Sequence, residues 1–412
     1  MAGARGLGAS LGSWFGLTLA CVNSHAHLFS TTLPAFEGGM HFAAHSHHPW
    51  PDAARSAQQR AFDDAARLLD EKWGLIFGEL QPRLKGRVAS RLGIRDPNTL
   101  AFAPSSHELL VRVVSGIERD VVRILTTDAE FHSARRQFAR WREAGRVEVQ
   151  SVAAEPLETF PERFEEAIAA GGYDLVTWSH VFFDSGYVVP DLERLVAAVP
   201  DEDAEILIDG YHAFCALPID LSSIEARAFY SAGGYKYAMG GEGCCFLHCP
   251  PGRLPRPRFT GWFAGFGSLA TEDFQGQVGY DTDGSRFLGS TYDPVALYRL
   301  DAALGALDEA GLDPASIHAH VSGLQGEFLA GLPATGAALA LEHLIPGPEA
   351  PDRGHFLTFR LRDATVLQGR LKAGGILTDA RRDRLRFGMG IYHGSAEVDA
   401  LLARLGELGL LA

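Results

Sequence analysis

The stretch that decides the fold runs from Tyr230 to Gly243 and reads YSAGGYKYAMGGEG. It places one lysine, Lys236, between two tyrosines and among five glycines. Glycines let a backbone turn tightly and approach a ligand closely. An amine held in such a site can lose its proton and attack a carbonyl carbon to form a Schiff base. A glycine-rich turn with a solvated lysine is the other interpretation that this stretch alone allows.

The segment immediately upstream favours the chemical interpretation. Residues 204–218 read AEILIDGYHAFCALP, which indicates a short apolar strand ending at Asp209. An acid at the carboxyl end of a buried strand lies where α/β folds bind ligands. Pyridoxal phosphate (PLP) needs a lysine for its aldehyde, an acid for its ring nitrogen and a cradle for its phosphate. The sequence therefore predicts a PLP site with Lys236 and Asp209, and with His212 as a further cofactor or substrate contact.

A phosphate cradle is predicted nearer the start of the chain. Residues 100–114, LAFAPSSHELLVRVV, indicate a strand, a turn and a helix that begins near Ser105 and Ser106. Hydroxyls and free backbone N–H groups at a helix start bind anions. These two serines are therefore candidate phosphate ligands.

Two segments of the sequence resemble a known family. LIDGYHAFCALPIDL and YSAGGYKYAMGGEGCCFL are similar to the fold-type-I PLP enzymes of the class V aminotransferase group, and within that group to kynureninase. The resemblance implies an α/β fold whose large domain has a mostly parallel sheet flanked by helices, followed by a smaller α+β domain. It predicts an N-terminal extension at 1–39, a PLP-binding domain at 40–300 that opens with a lead-in loop and helix at 40–70, and a C-terminal domain at 301–412.

The same resemblance implies roles for further residues. Tyr235 would contact the phosphate or assist proton transfer, and Phe131 would stack on the cofactor ring. Trp262 and Thr291 would contact the phosphate, with Thr291 reaching across from the partner subunit of a homodimer. Arg386, in the segment LRFGMGIY, would hold the α-carboxylate of an amino acid substrate. Two further residues, in the segment DLVTWSHVFFDSG, are expected near the cofactor: Ser179 and His180.

A histidine-rich segment, HFAAHSHHPWP at 41–51, is open to two interpretations. Four histidines in eight residues suggest a metal site, but metal sites usually add acids or cysteines on a regular element. The matching segment in the family lies at the active-site mouth. His45, Ser46 and His47 are therefore expected on the substrate side, without a metal.

Composition limits the location and the partners. The 412 residues carry a formal charge of −14 without basic runs, which argues against nucleic-acid binding. Five cysteines without a CxxC pattern indicate buried thiols in a reducing cytoplasm. The apolar run SWFGLTLAC, ending at Cys21, resembles part of a signal peptide. It is too short to span a bilayer and its charged flank is weak, so we expect no membrane anchor.

The predicted reaction follows from the resemblance. The primary hypothesis is a kynureninase-like hydrolase or lyase that cleaves a side-chain bond after Cα deprotonation. A class V aminotransferase or an amino acid racemase or epimerase is the alternative. A cysteine desulfurase is disfavoured, because the chain has no cysteine after Cys249 for a late catalytic loop. A non-catalytic binding protein is disfavoured by the presence of Lys236, Asp209 and Arg386.

Overall fold

The strands follow the order that alternating β and α segments predict. The computed structural model describes residues 21–268, 276–335, 339–350 and 352–409, so most of the signal-like run lies outside the described residues. The strands are β1 Met40–His41, β2 Leu100–Ala103, β3 Val122–Thr127, β4 Val147–Val152, β5 Leu175–Ser179, β6 Glu205–Asp209, β7 Phe229–Gly233, β8 Cys245–His248, β9 Leu344–Ile345, β10 Phe356–Arg360, β11 Ile376–Leu377, β12 Asp379–Arg381 and β13 Arg384–Gly388.

The helices lie between and after these strands. They are α1 Thr32–Ala35, α2 Asp52–Leu68, α3 Lys72–Leu75, α4 Gln81–Leu92, α5 Ser106–Gly116, α6 His132–Glu143, α7 Phe160–Ala169, α8 Leu192–Ala197, α9 Val295–Glu309, α10 Pro314–Gly331, α11 Ala364–Ala373 and α12 Ser395–Glu407. None of the helices in the described ranges combines the length and apolar character that a bilayer crossing needs.

The main sheet of the described chain has seven strands in the order β2-β8-β7-β6-β5-β3-β4. β4, β3, β5, β6 and β7 are mutually parallel, whereas β8 runs antiparallel to both β7 and β2. The central strands are apolar and buried on both faces, as a helix-covered parallel sheet requires. The predicted α/β architecture, with a mostly parallel sheet flanked by helices, is confirmed.

Two smaller sheets lie near the carboxyl-terminal part of the chain. β12, β13, β10 and β9 form an antiparallel sheet, and its apolar residues pack with those of α10, α11 and α12. β1 pairs in parallel with β11, so the segment that leads into the histidine-rich stretch is attached to this region. This pairing brings residues 40–48 close to β13, although more than 300 positions separate them in sequence.

Candidate active site

Several predicted site residues meet at one edge of the main sheet. Ser179 and Asp209 end the neighbouring parallel strands β5 and β6 and are directly paired in register. Lys236 follows the end of β7, and Ser105 and Ser106 follow the end of β2. All five line one cavity of about 280 Å³. Parallel strands bring their carboxyl ends to the same edge, so residues far apart in sequence become neighbours there.

The Lys236 side chain is buried at the centre of this cavity. Its Nζ lies in hydrogen-bond contact with Nε2 of His212 and 5.2–5.7 Å from the ring centroids of Phe131, Tyr211 and Tyr235. Burial lowers the pKa of the Lys236 amine to about 7, because a cation loses its hydration in this position. A substantial fraction of the amine is therefore neutral at physiological pH and able to act as a nucleophile or base.

Asp209 places a carboxylate on the same wall. Its Oδ1 accepts a hydrogen bond of 2.9 Å from the backbone N–H of Tyr211. The carboxyl group lines the cavity, and its burial raises its pKa. Gly210 follows, where a Cβ atom would lie 2.1 Å from the ring of Tyr230, so only glycine allows the chain to turn here without displacing that ring. The end of β6 thus places the Asp209 carboxyl group on the lining of the cavity.

His212 is buried and neutral. Burial and the neighbouring Lys236 charge lower its pKa well below the usual value. Its Nδ1 has no hydrogen-bond partner among the described residues, although the atom is buried. A buried polar atom without a partner is costly, so this nitrogen is available to a bound group.

The start of α5 forms the anion-binding end of the cavity. The Ser105 hydroxyl caps the helix, because it accepts a hydrogen bond of 3.2 Å from the backbone N–H of Glu108. Ser106 and His107, the first two helical residues, also line the cavity. The N–H groups of the first turn have no partner within the helix and favour a negative charge. A phosphate would fit this position.

Trp262 and Thr291 lie outside this cavity. The indole Nε1 of Trp262 donates to the Thr291 hydroxyl at 3.2 Å, and both residues are exposed. The contact of these two residues with the cofactor phosphate therefore stays a prediction.

Arg386 is buried next to the cavity and does not line it directly. Its guanidinium donates to the Asp379 carboxylate and to the backbone carbonyl of Phe183, a residue that does line the cavity. Its Nε has no partner within the described part of the chain. A substrate carboxylate could reach this arginine only by sharing it with Asp379.

The histidine-rich segment divides into a buried and an exposed part. His45 is buried, with its ring stacked 4.6 Å from that of Phe356 and its Nε2 3.7 Å from Oδ2 of Asp379. Burial lowers its pKa to about 3. His47 is exposed, with its ring 5.7 Å from that of Tyr235 and its Nδ1 3.3 Å from the Ser46 hydroxyl. Within the described residues no cluster of histidines, cysteines and acids is arranged to hold a metal ion.

Sequence reasoning missed two acids of the site, Glu130 and Asp379. Glu130 is buried behind Asp209 and accepts a hydrogen bond of 2.7 Å from the Ser179 hydroxyl. It follows the end of β3, and this strand-end position was the signal that identified Asp209. His180, expected near the cofactor, instead lies beside Tyr230, with its Nδ1 3.1 Å from the phenol oxygen.

With this geometry in place, the fold and the site can be assigned to a class. A family model described as Aminotransferase class-V matches residues 84–346, more than half of the chain. The chain therefore belongs to the class-V aminotransferase family. No curated protein sequence matches the chain.

Solved structures share the fold at low sequence identity. A complex of the cystine C–S lyase C-DES with its reaction product cysteine persulfide has a TM-score of 0.77 and 20% identity, covering 91% of this chain and 99% of that one. The apo cysteine desulfurase from Thermococcus onnurineus NA1 has a TM-score of 0.76 and 16% identity, covering 94% and 98% of the two chains. The cysteine desulfurase CsdA from Escherichia coli has a TM-score of 0.71 and 16% identity, covering 94% and 99%.

The predicted kynureninase-like reaction is wrong. The similar structures are a cystine C–S lyase and cysteine desulfurases, and the sequence argument had disfavoured a cysteine desulfurase. The sequence segments that carried the resemblance contribute Asp209, His212, Tyr235 and Lys236 to the lining of the cavity. The bond that is broken depends on groups around the substrate side chain, which come from distant parts of the chain.

The cofactor prediction is confirmed, because the family is PLP-dependent and one C-DES structure has glycine linked covalently to the PLP cofactor. The residues present fit this group. Lys236 supplies a buried amine, Asp209 an acid, and the start of α5 an anion site at the other end of the cavity. His212 adds a buried nitrogen without a partner among the described residues.

Proposed function

We propose that this protein is a PLP-dependent enzyme that cleaves the carbon–sulfur bond of a sulfur-containing amino acid, with cystine as the type substrate. The observation that carries the proposal is the likeness to the cystine C–S lyase along 91% of this chain, combined with a buried Lys236 amine at the centre of the cavity. When bound, PLP supplies an electron-accepting ring that stabilises the negative charge left on Cα after its proton is removed.

The chain's own residues would divide the work as follows. Asp209 would keep a proton on the cofactor ring nitrogen by charge pairing. Ser105 and Ser106 would hold the phosphate at the start of α5, and Phe131 would fix the ring plane. Lys236, neutral in part because burial lowers its pKa to about 7, would remove the Cα proton and return it to a leaving group.

The substrate would be held by its carboxylate and released in two parts. Arg386 offers a planar, two-pronged donor for the α-carboxylate, and His45 and His47 would lie on the side-chain side. The Cβ–S bond breaks and its electron pair leaves with sulfur. In cystine the sulfur fragment is cysteine persulfide, and the three-carbon fragment takes up water to give pyruvate and ammonia.

The protonated thiol of Cys245 favours a reaction in which sulfur leaves as a persulfide product. Cys245 lines the cavity, but burial raises the pKa of its thiol to about 11. A thiol that stays protonated is a poor nucleophile. The chain has no cysteine after Cys249. Sulfur transfer to a thiol of the chain itself is therefore less favoured than departure of a persulfide.

We also propose that the active enzyme is a homodimer in which Trp262 and Thr291 contact the phosphate in the partner's site. The rings of Trp262 and Phe266 lie 5.5 Å apart and both side chains are exposed, the kind of surface that a partner covers. Sedimentation equilibrium should report a dimer, and Trp262→Ala should weaken PLP binding. A monomeric wild-type protein, or a Trp262→Ala variant that binds PLP as tightly as the wild type, would contradict this arrangement.

The test of the proposed reaction is an amino acid panel that contains cystine and cysteine. The PLP-loaded enzyme should release pyruvate, ammonia and persulfide sulfur from cystine in equal amounts, without an amino acceptor. The matched control is Lys236→Ala, which should abolish all three products. Keto acid formation that requires an acceptor, or inversion at Cα without loss of sulfur, would overturn the proposal.

A further inference from the structure

A second buried acid lies behind the active-site wall. Glu130 is 3% exposed and lies in the loop between β3 and α6. Its Oε1 accepts from the Thr127 hydroxyl at 2.7 Å and from the backbone N–H of Ser179 at 3.1 Å. Its Oε2 accepts from the Ser179 hydroxyl at 2.7 Å. Ser179 thus contacts Glu130 with both of its donors while also lining the active-site cavity.

Glu130 and Asp209 also share a small chamber behind the wall. Its volume is about 40 Å³, and its other polar lining residues are Ser106, His107, Ser133, Thr177 and Ser231. The Ser231 hydroxyl is buried and has no hydrogen-bond partner among the described residues. A polar chamber of this size can hold a water molecule. The two acids therefore face one chamber, whose lining also includes the apolar side chains of Leu110, Phe138 and Leu207.

Burial and one neighbouring charge oppose the ionisation of Glu130. Burial raises its pKa to about 7, and the Asp209 charge adds to this effect, whereas the hydrogen bonds from Thr127 and Ser179 act in the opposite direction. The ionisable groups that share the chamber are Asp209 on β6 and His107 on α5. Two carboxylates so placed do not ionise with equal ease, and Asp209 is the one that also feels the Lys236 charge.

We propose that Glu130 is a positioning residue that stores a proton beside Asp209 and controls the direction of the Ser179 hydroxyl. When Glu130 is ionised, the Ser179 hydroxyl donates to Oε2. When Glu130 is protonated, its own O–H donates to the Ser179 oxygen, and the Ser179 hydrogen turns towards the cavity. Glu130 exchanges one proton with solvent, its hydrogen bond with Ser179 reverses direction, and no other covalent bond changes. The inference rests on the PLP cofactor and is independent of the sulfur substrate.

The protonation state of Glu130 would therefore determine both the charge beside Asp209 and whether the Ser179 hydroxyl can donate to the cofactor. A protonated Glu130 leaves Asp209 as the ionised acid of the pair, which is the state that an acid facing the ring nitrogen needs. It also gives the cavity an additional hydroxyl donor at Ser179. At a pH above its pKa, Glu130 carries a negative charge behind Asp209. The Ser179 hydroxyl then donates to Glu130 and no longer to the cavity.

The variant Glu130→Gln tests the proposal, because its amide imitates the protonated acid. The Gln amide N–H₂ donates to the Ser179 oxygen at every pH, and the amide oxygen can still accept from Thr127 and from the Ser179 backbone. In a pH titration of the PLP-loaded enzyme followed by cofactor absorbance, the wild type should show a transition near pH 7. E130Q should keep the acid-side spectrum throughout.

Infrared spectroscopy gives a second measurement without substrate. The carbonyl band of a protonated carboxyl group should be present in the wild type, decline through the same transition and be missing in E130Q. Ser179→Ala removes a hydrogen bond to the ionised form and should move the transition to higher pH. The matched control is Glu205→Gln, which changes another buried acid at the opposite end of β6 and should leave the transition in place.

A transition in E130Q identical to that of the wild type would overturn the proposal. An unshifted transition in S179A would overturn the part assigned to Ser179. Because neither measurement uses a sulfur substrate, either result would leave the proposed reaction standing. Conversely, failure to cleave cystine would leave the Glu130 titration untouched.

Discussion

The Lys236 amine lies in hydrogen-bond contact with Nε2 of His212, and both side chains are buried at the carboxyl edge of the main sheet. A neutral imidazole can only accept at this nitrogen if its proton is on Nδ1, where no partner is found among the described residues. The pair therefore consists of a weakly basic amine and an uncharged acceptor. This arrangement prepares the amine to react with a carbonyl compound.

The first prediction concerns the covalent attachment of the cofactor. Lys236→Ala should remove the cofactor absorbance that depends on a lysine linkage, and borohydride reduction of the wild type should tag the peptide that contains Lys236. Lys85 is a suitable internal reference, because it is also buried and burial lowers its pKa. A tag on Lys85, or an unchanged spectrum in K236A, would contradict the assignment.

The second prediction concerns the pH dependence of cofactor uptake. Only the neutral amine attacks the aldehyde of PLP, and burial lowers the pKa of Lys236 to about 7. The rate at which the apoprotein captures PLP should therefore rise as pH increases through about 7 and level off above it. Stopped-flow absorbance would measure this rate. A rate that continues to rise towards the ordinary lysine pKa of about 10.4 would show that the amine is not perturbed.

The third prediction concerns the binding of the substrate carboxylate. Arg386→Lys removes the planar two-pronged donor, so KM for the amino acid should rise about tenfold to a hundredfold, since a hydrogen bond to a charged group contributes about 1.5–3 kcal/mol. The kcat should change much less. The control is Arg381→Lys, on the same antiparallel sheet but about half exposed. Equal effects of the two substitutions would argue against a specific role for Arg386.

The fourth prediction concerns stability in acid. Burial lowers the pKa of His45, His48 and His393 to about 3, whereas an unfolded histidine titrates near pH 6.5. The unfolded chain therefore binds more protons between these values, and the free energy of unfolding should fall as the pH decreases from about 6.5. At pH about 5 each of these histidines would contribute a loss of about 2 kcal/mol.

Denaturant unfolding across this pH range would measure the acid effect. His48→Gln should make the decline with falling pH shallower, because one titrating group is removed. A free energy of unfolding that stays constant down to pH about 5 would contradict the neutral state of the buried histidines.

Four residues that line the cavity, Ser105, Ser106, Asp209 and Lys236, could be predicted from sequence because their signals are local. A strand end followed by an acid, a lysine among glycines and a helix start with two serines are each visible within a few residues. The sheet topology then brings these segments together. The same local signal also marks Glu130, which follows the end of β3.

The contacts of His45 and Arg386 could not be predicted from local sequence patterns. The contact of His45 with Asp379 and Phe356, and the pairing of Arg386 with Asp379, depend on β1 joining β11 across more than 300 positions. No local pattern encodes such a pairing. For the same reason the predicted reaction was wrong although the predicted cofactor was right.

The sequence by itself determined the strand-and-helix order and the amine and the acid that line the cavity, because propensity, polarity and turn chemistry act over short distances. Only the tertiary structure decided which acids are buried beside one another, which histidines are neutral and which partner occupies Arg386. Those properties come from desolvation and from charges contributed by distant segments, and both exist only once the chain has folded.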